Sequence, residues 1–178
     1  PVRMSKRTGK AITLTDLLDE VPIDSARFFF NMREAGSQMD FDLDLAVKQD
    51  SDNPVYYVQY AHARICSILK KLDSEGIQYQ GVESLANHQF DQQAELDLIR
   101  AISAFPAEIV TSAKHYDPAR ITRYVIDLAG AFHKFYNQCR IKEAEPNVRQ
   151  ARIALCLATK QIIANVLTMF KVTVPESM

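Results

Sequence analysis

The sequence predicts an all-α protein, an antiparallel helix bundle with a small N-terminal connecting appendage. Three observations carry that expectation. Apolar residues recur at three- and four-residue steps along several long stretches, which is the helical period. Prolines and capping residues open those stretches, as at Asn53-Pro54 and Pro118, and glycines such as Gly36, Gly76 and Gly81 follow them. The connections are short enough for neighbouring helices to run antiparallel.

Taken in order, Thr13 to Glu20 reads as a short helix capped by Thr13 or Thr15. Ile23 to Ala35 is a second helix, with Pro22 near its first position and Gly36 as its stop. Met39 to Leu45 alternates apolar and acidic residues, a pattern that fits a short strand, an extended turn or a surface loop. Asn53-Pro54 starts a long helix to about Leu72. Asp91 to about His115 is helical, with a break or kink expected at Pro106. Pro118 opens a helix to about Lys142, Pro146 interrupts, and Val148 to about Val172 is the last helix. Core stripes follow: Val58, Ala61, Ile65, Leu69 and Leu72; then Ile121, Val125, Leu128, Phe132, Phe135 and Cys139; then Ala151, Leu155, Ala158, Ile162 and Met169.

A chain of 178 residues makes one domain, or one with an appendage, and can bury a sizeable core. Its net charge of −1 excludes a uniformly basic nucleic-acid binder. The charge is nevertheless uneven. Residues 11–52 carry ten acids against three bases, and residues 118–171 carry nine bases against three acids, so the second region can attract phosphates. Cys66, Cys139 and Cys156 have no metal or disulfide spacing and read as reduced thiols of a cytoplasmic protein. No apolar run suggests a membrane span and no signal peptide begins the chain, so no membrane partner is expected.

The first long helix carries a second face: Tyr57, Tyr60, Arg64, Ser67 and Lys71. Two tyrosines one turn apart, with an arginine a turn further on, suit stacking of unpaired bases and a grip on phosphate. Packing against a neighbouring helix explains the same spacing. His133, Tyr136 and Arg140 form a comparable edge beside the core stripe of their helix, readable as binding edge or as solvated surface. The four histidines pair with no cysteine or carboxylate at metal-ligand spacing, and Asp40, Asp42 and Asp44 lack the Gly and closing Glu of a calcium loop. No nucleophile constellation and no glycine-rich phosphate loop appears.

Several stretches together resemble a known family. Arg3-Met4-Ser5-Lys6 resembles the Lys-Met-Ser-Lys-Ser loop of class I aminoacyl-tRNA synthetases. It is followed by Thr13-Leu14-Thr15-Asp16-Leu17-Leu18, Asp24-Ser25-Ala26-Arg27-Phe28-Phe29-Phe30, Asp40-Phe41-Asp42-Leu43-Asp44-Leu45-Ala46, the specific run Tyr57-Val58-Gln59-Tyr60-Ala61-His62-Ala63-Arg64, and Leu128 to Arg140. In that order, over essentially the whole chain, these resemble bacterial arginyl-tRNA synthetases. Asp117-Pro118-Ala119-Arg120 stands where the family has its Asp-Ala-Leu-Arg motif, a partial match.

The resemblance implies an ATP signature loop at 1–10, a connecting segment that contacts the tRNA stem at 11–50, and an anticodon-binding helical bundle at 51–178. Within the loop, Lys6 with Ser5 would act on ATP phosphates in the intact ligase only. Arg3 and Arg7 replace the family's first Lys and last Ser. The catalytic domain of the same protein should precede Pro1, so this chain alone is expected to bind no cofactor and to charge no tRNA. ATP and Mg2+ would serve the intact enzyme, and no metal is expected here. The implied partner is tRNA(Arg), whose anticodon always has C in the middle, bound by a monomer. The resemblance assigns its recognition to Tyr57, Gln59, Tyr60, Arg64, Tyr136, Arg140 and Met178. A non-catalytic helical protein-interaction or dimerisation module is the alternative.

Overall fold

The computed structural model describes residues 13–85 and 88–178. The stretch at residues 1–10 proposed for ATP, with Ser5 and Lys6, lies outside them. Among the described residues there are seven α-helices and no strand. They are α1 (Leu14–Glu20), α2 (Ile23–Asn31), α3 (Leu43–Val47), α4 (Pro54–Ser74), α5 (Gln93–His115), α6 (Pro118–Gln138) and α7 (Pro146–Met169), with a 3-10 turn at Val82–Leu85. The four long helices form the expected bundle: α5 lies along α6, α4 packs on α6 and α7, and α7 closes on α5 and α6.

Local chemistry sets the boundaries. Thr13 caps α1 through a reciprocal bond with Asp16, its side chain accepting from the Asp16 amide while the Asp16 carboxylate accepts from the Thr13 amide. Prolines stand at the first positions of α4, α6 and α7, where the missing N–H costs nothing. Pro146 therefore begins α7, two residues before the expected start. Pro106 does not break α5, which runs through it. The proline sits on the exposed face, where its ring and missing donor are tolerated best. The alternating stretch 39–45 is no strand. Asp42 accepts a hydrogen bond from the Leu45 amide at 3.0 Å and starts α3, while Phe41 packs between Phe29 and Phe30 with centroid distances of 5.6 and 5.4 Å.

One buried cluster runs through the molecule. Phe28, Val58, Ile65, Val125, Leu128, Phe132, Phe135, Cys156, Ile163, Val166 and Leu167 are fully buried within it, so α2 shares the core of the long helices. The α4 and α6 stripes lie where the spacing puts them, but Met169 of the α7 stripe is half exposed. By length and apolar composition α7 could cross a bilayer, contrary to the expectation that no segment could, yet its apolar side is core here. A buried ion pair, Glu95 with Arg152 at 2.6 Å, ties α5 to α7.

Candidate nucleic-acid interface

The packing of α4 on α6 turns two ambiguous helix faces towards each other. Asn53 fixes where α4 begins. Its side-chain oxygen accepts from the Val55 amide at 3.1 Å, and its amide nitrogen donates to the carbonyls of Ala46 and Lys48 at 3.2 and 2.8 Å. With the start anchored, the helical period places Tyr57, Tyr60 and Arg64 on one face. Opposite lie Gly130, His133 and Tyr136 of α6. Gly130 faces the Tyr57 hydroxyl: a Cβ there would stand 3.6 Å away, an ordinary contact.

The rings interlock. The His133 imidazole lies between two tyrosines, 4.9 Å from the Tyr57 centroid and 5.8 Å from that of Tyr60, nearly parallel to the latter at 28°. The Arg64 guanidinium sits 4.5 Å from the Tyr136 ring centre and 5.8 Å from that of Tyr60, and donates weakly to the Tyr60 hydroxyl at 3.4 Å. These are cation–π distances. Arg64 forms no ion pair among the described residues. A cavity of about 330 Å³ opens here, lined by Ser51, Tyr56, Tyr57, Tyr60, Arg64, His133 and Asn137.

Burial, and secondarily the Arg64 charge, pulls the His133 pKa down to about 4, so the imidazole is neutral at pH 7. Its Nε2 is buried with no hydrogen-bond partner among the described residues. Burial also raises the Tyr57 phenol, keeping it protonated. The cavity thus offers aromatic faces, a neutral imidazole and one guanidinium free to pair with an anion. That combination suits a flat, uncharged ring joined to a phosphate.

Tyr56 also borders a second cavity, of about 360 Å³, with Asp24, Lys48, Asn53, Gln59 and Met178 in its wall. The C-terminal segment is strapped down beside it. Gln59 donates from Nε2 to Asp24 Oδ2 at 3.1 Å and to the Thr173 carbonyl at 3.0 Å; the Thr173 amide donates to Asp24 Oδ2 at 3.1 Å. Arg27 donates to the Lys171 carbonyl at 2.6 Å, and the buried His62 meets the Pro175 carbonyl through Nδ1 at 2.8 Å. Burial lowers the His62 pKa against the opposing pull of that carbonyl.

Of the residues singled out from sequence, the structure gathers Tyr57, Tyr60 and Arg64 at the first cavity, with Tyr136 supporting Arg64. It sets Gln59 and Met178 at the second. Arg140 lies beyond the end of α6, exposed and lining neither cavity; its carbonyl accepts from Arg152. Arg120 of the Asp-Pro-Ala-Arg stretch faces Glu108, donating from Nη2 at 3.0 Å, and so ties α6 to α5. Sequence reasoning placed His133 on an edge readable as binding or as solvated surface without assigning it a role, and missed Tyr56, Ser51 and Asn137. The signal for His133 was its place one turn before Tyr136; the partner face on α4 was not readable. No group of three His, Cys, Asp or Glu side chains able to hold a metal occurs among the described residues.

Fold and site together define an all-α helix bundle with an aromatic, arginine-bearing cavity, and comparison with known proteins specifies its family. A model of the DALR anticodon binding domain matches residues 58–178, and the chain belongs to that family. It is 54% identical over 177 residues to the arginine–tRNA ligase of Caldanaerobacter subterraneus subsp. tengcongensis and 51% identical over 176 residues to that of Ruminiclostridium cellulolyticum. Each match covers 99% of this chain but only 32% and 31% of the relative, so the chain spans about a third of the length of those ligases. The resemblance read from the sequence is thereby borne out. Among solved structures, a putative arginyl-tRNA synthetase from Campylobacter jejuni superposes with a TM-score of 0.81 at 24% identity, covering 98% of this chain and 37% of that one. The arginyl-tRNA synthetase of Thermus thermophilus gives 0.76 at 24% identity, covering 97% and 29%. These bear out the all-α fold.

Proposed function

We propose that the chain is the anticodon-binding part of an arginine–tRNA ligase and that it binds tRNA(Arg). The middle anticodon base, an unpaired C in every arginine tRNA, would enter the first cavity and stack on Tyr57 or Tyr60. Arg64 would leave its aromatic seat for the adjoining phosphate or the base edge. The observation that carries this reading is the cavity walled by Tyr57, Tyr60 and His133 with Arg64, which has no ion pair among the described residues, on a DALR-family bundle. The intact ligase would attach arginine to tRNA with ATP and Mg2+, in the cytoplasm. Ser5 and Lys6 would serve ATP in the 1–10 loop, residues 11–50 would contact the tRNA stem, and residues 51–178 would read the anticodon. This chain alone would bind as a monomer and charge nothing.

Fluorescence titration with anticodon stem-loop RNAs tests the reading. A middle C should bind most tightly, and the affinity of every RNA should fall steeply as salt rises, because phosphate contacts supply much of it. Equal affinity for all four middle bases refutes anticodon reading. Concentration-dependent self-association with no RNA binding points instead to a dimerisation module.

A further inference from the structure

We propose that His133 is a positioning residue that occupies the stacking seat in the RNA-free chain and turns out of it when a base enters. The inference rests on the tRNA(Arg) reading above and adds the step by which the first cavity fills.

The seat already holds a flat heterocycle. The His133 imidazole lies against both tyrosines proposed to stack the base, with centroids 4.9 Å from Tyr57 and 5.8 Å from Tyr60, and within 28° of parallel to the latter. Phe132 stands beside it on its own helix at 5.6 Å. Aromatic faces that would otherwise be wetted are thus covered by a resident ring. An incoming pyrimidine can take over the same contacts, so the exchange loses little stacking.

The occupant is also poorly held. Its Nε2 is buried with no hydrogen-bond partner among the described residues. An unsatisfied buried polar atom raises the energy of the seated state, and that energy is recovered when the ring turns out into water. The cavity of about 330 Å³ in front of the ring gives it somewhere to turn. The titratable and charged groups facing it are Tyr57, Tyr60 and Arg64 of α4. Burial, and after it the Arg64 charge, keeps the seated imidazole neutral. Once turned out, it meets water and RNA phosphates, which favour its protonated form. Only a chain with an open seat accepts the base, so the apparent affinity falls in proportion to how seldom the seat opens.

Nuclear magnetic resonance of the His133 imidazole, assigned through its backbone, tests this in the free chain and with a saturating anticodon stem-loop carrying the middle C. In the free chain the ring should barely titrate between about pH 5 and pH 8, the range in which an ordinary histidine changes charge. With the RNA bound it should titrate there, near or above the ordinary 6.5. An imidazole that stays neutral throughout that range in the complex has kept its seat and overturns the inference. His133→Phe is the second arm. Its ring lacks the orphaned nitrogen and is seated more firmly, so the variant should bind the same stem-loop roughly tenfold more weakly. It should do so without any loss of stability at pH 7. Parent-like affinity in the folded variant overturns the inference too. A variant that fails to fold leaves the titration of the unaltered chain to decide. A middle-C preference with an untitrated His133 strikes down this inference alone; absence of that preference strikes down the reading beneath it.

Discussion

His133 should make the stability of the chain fall between pH 6.5 and pH 4. Its pKa is held at about 4 in the folded chain and returns towards 6.5 on unfolding. Within that window the unfolded chain binds a proton that the folded chain does not, so stability is complete above the unfolded value and drains away as pH falls. The whole shift corresponds to about 3 kcal/mol, and partial solvent contact through the cavity lowers the expectation to about 1–2 kcal/mol. His133→Phe keeps an aromatic ring between Tyr57 and Tyr60, removes the titration and removes an unpartnered Nε2. Urea unfolding at several pH values and constant ionic strength measures the effect. The variant should match or exceed the parent at pH 7, where an orphaned polar atom has been deleted, and should lose less stability on acidification. Some slope will remain, because burial depresses His62 in the same direction. A variant with the slope of the parent shows that His133 is not buried neutral and refutes the electrostatic description of the cavity.

Three further outcomes follow from the packing. Glu95→Ala should cost about 3–5 kcal/mol in denaturant unfolding, because Glu95 is 1% exposed and its loss strands Arg152 inside the bundle. Gly130→Ala should stabilise α6 by up to about 1 kcal/mol and leave RNA binding intact, since its Cβ meets the Tyr57 hydroxyl at an ordinary 3.6 Å; Gly130→Val should displace Tyr57 and weaken binding without unfolding the chain, as circular dichroism and titration together would report. Tyr116 caps α5 with φ of 53° while 88% exposed, so Tyr116→Gly should raise stability by about 0.5–1 kcal/mol in a thermal melt.

Much of the fold was written in local patterns. Asn53-Pro54 and Pro118 mark helix starts through chemistry that operates within one turn, and the stripes of α4 and α6 are buried as their spacing demands. Where local patterns misled, tertiary context decided. Pro106 is accepted because α5 shows it to solvent, and the alternation at 39–45 gives way to the Asp42 cap and the packing of Phe41. The candidate site divides in the same way. Tyr57, Tyr60 and Arg64 were visible as a face, because one helix carries all three. His133 was visible only as part of an edge with two readings, because its place in the cavity depends on α6 meeting α4. The role of Gln59 was equally hidden: its partners Asp24 and Thr173 stand 35 and 114 residues away.

The central claim is that Tyr57 and Tyr60 supply the platform on which an unpaired base is read. Its most direct measurement is the ratio of affinities for stem-loops with C and with another base at the middle anticodon position, compared between the parent, Tyr57→Ala and Tyr60→Ala. Stacking contributes about 1–3 kcal/mol per base, so at least one variant should bind the cognate RNA roughly ten- to a hundredfold more weakly and lose most of the discrimination. If both variants keep the parent's affinity and its ratio, the base is read elsewhere and the account of the first cavity is wrong.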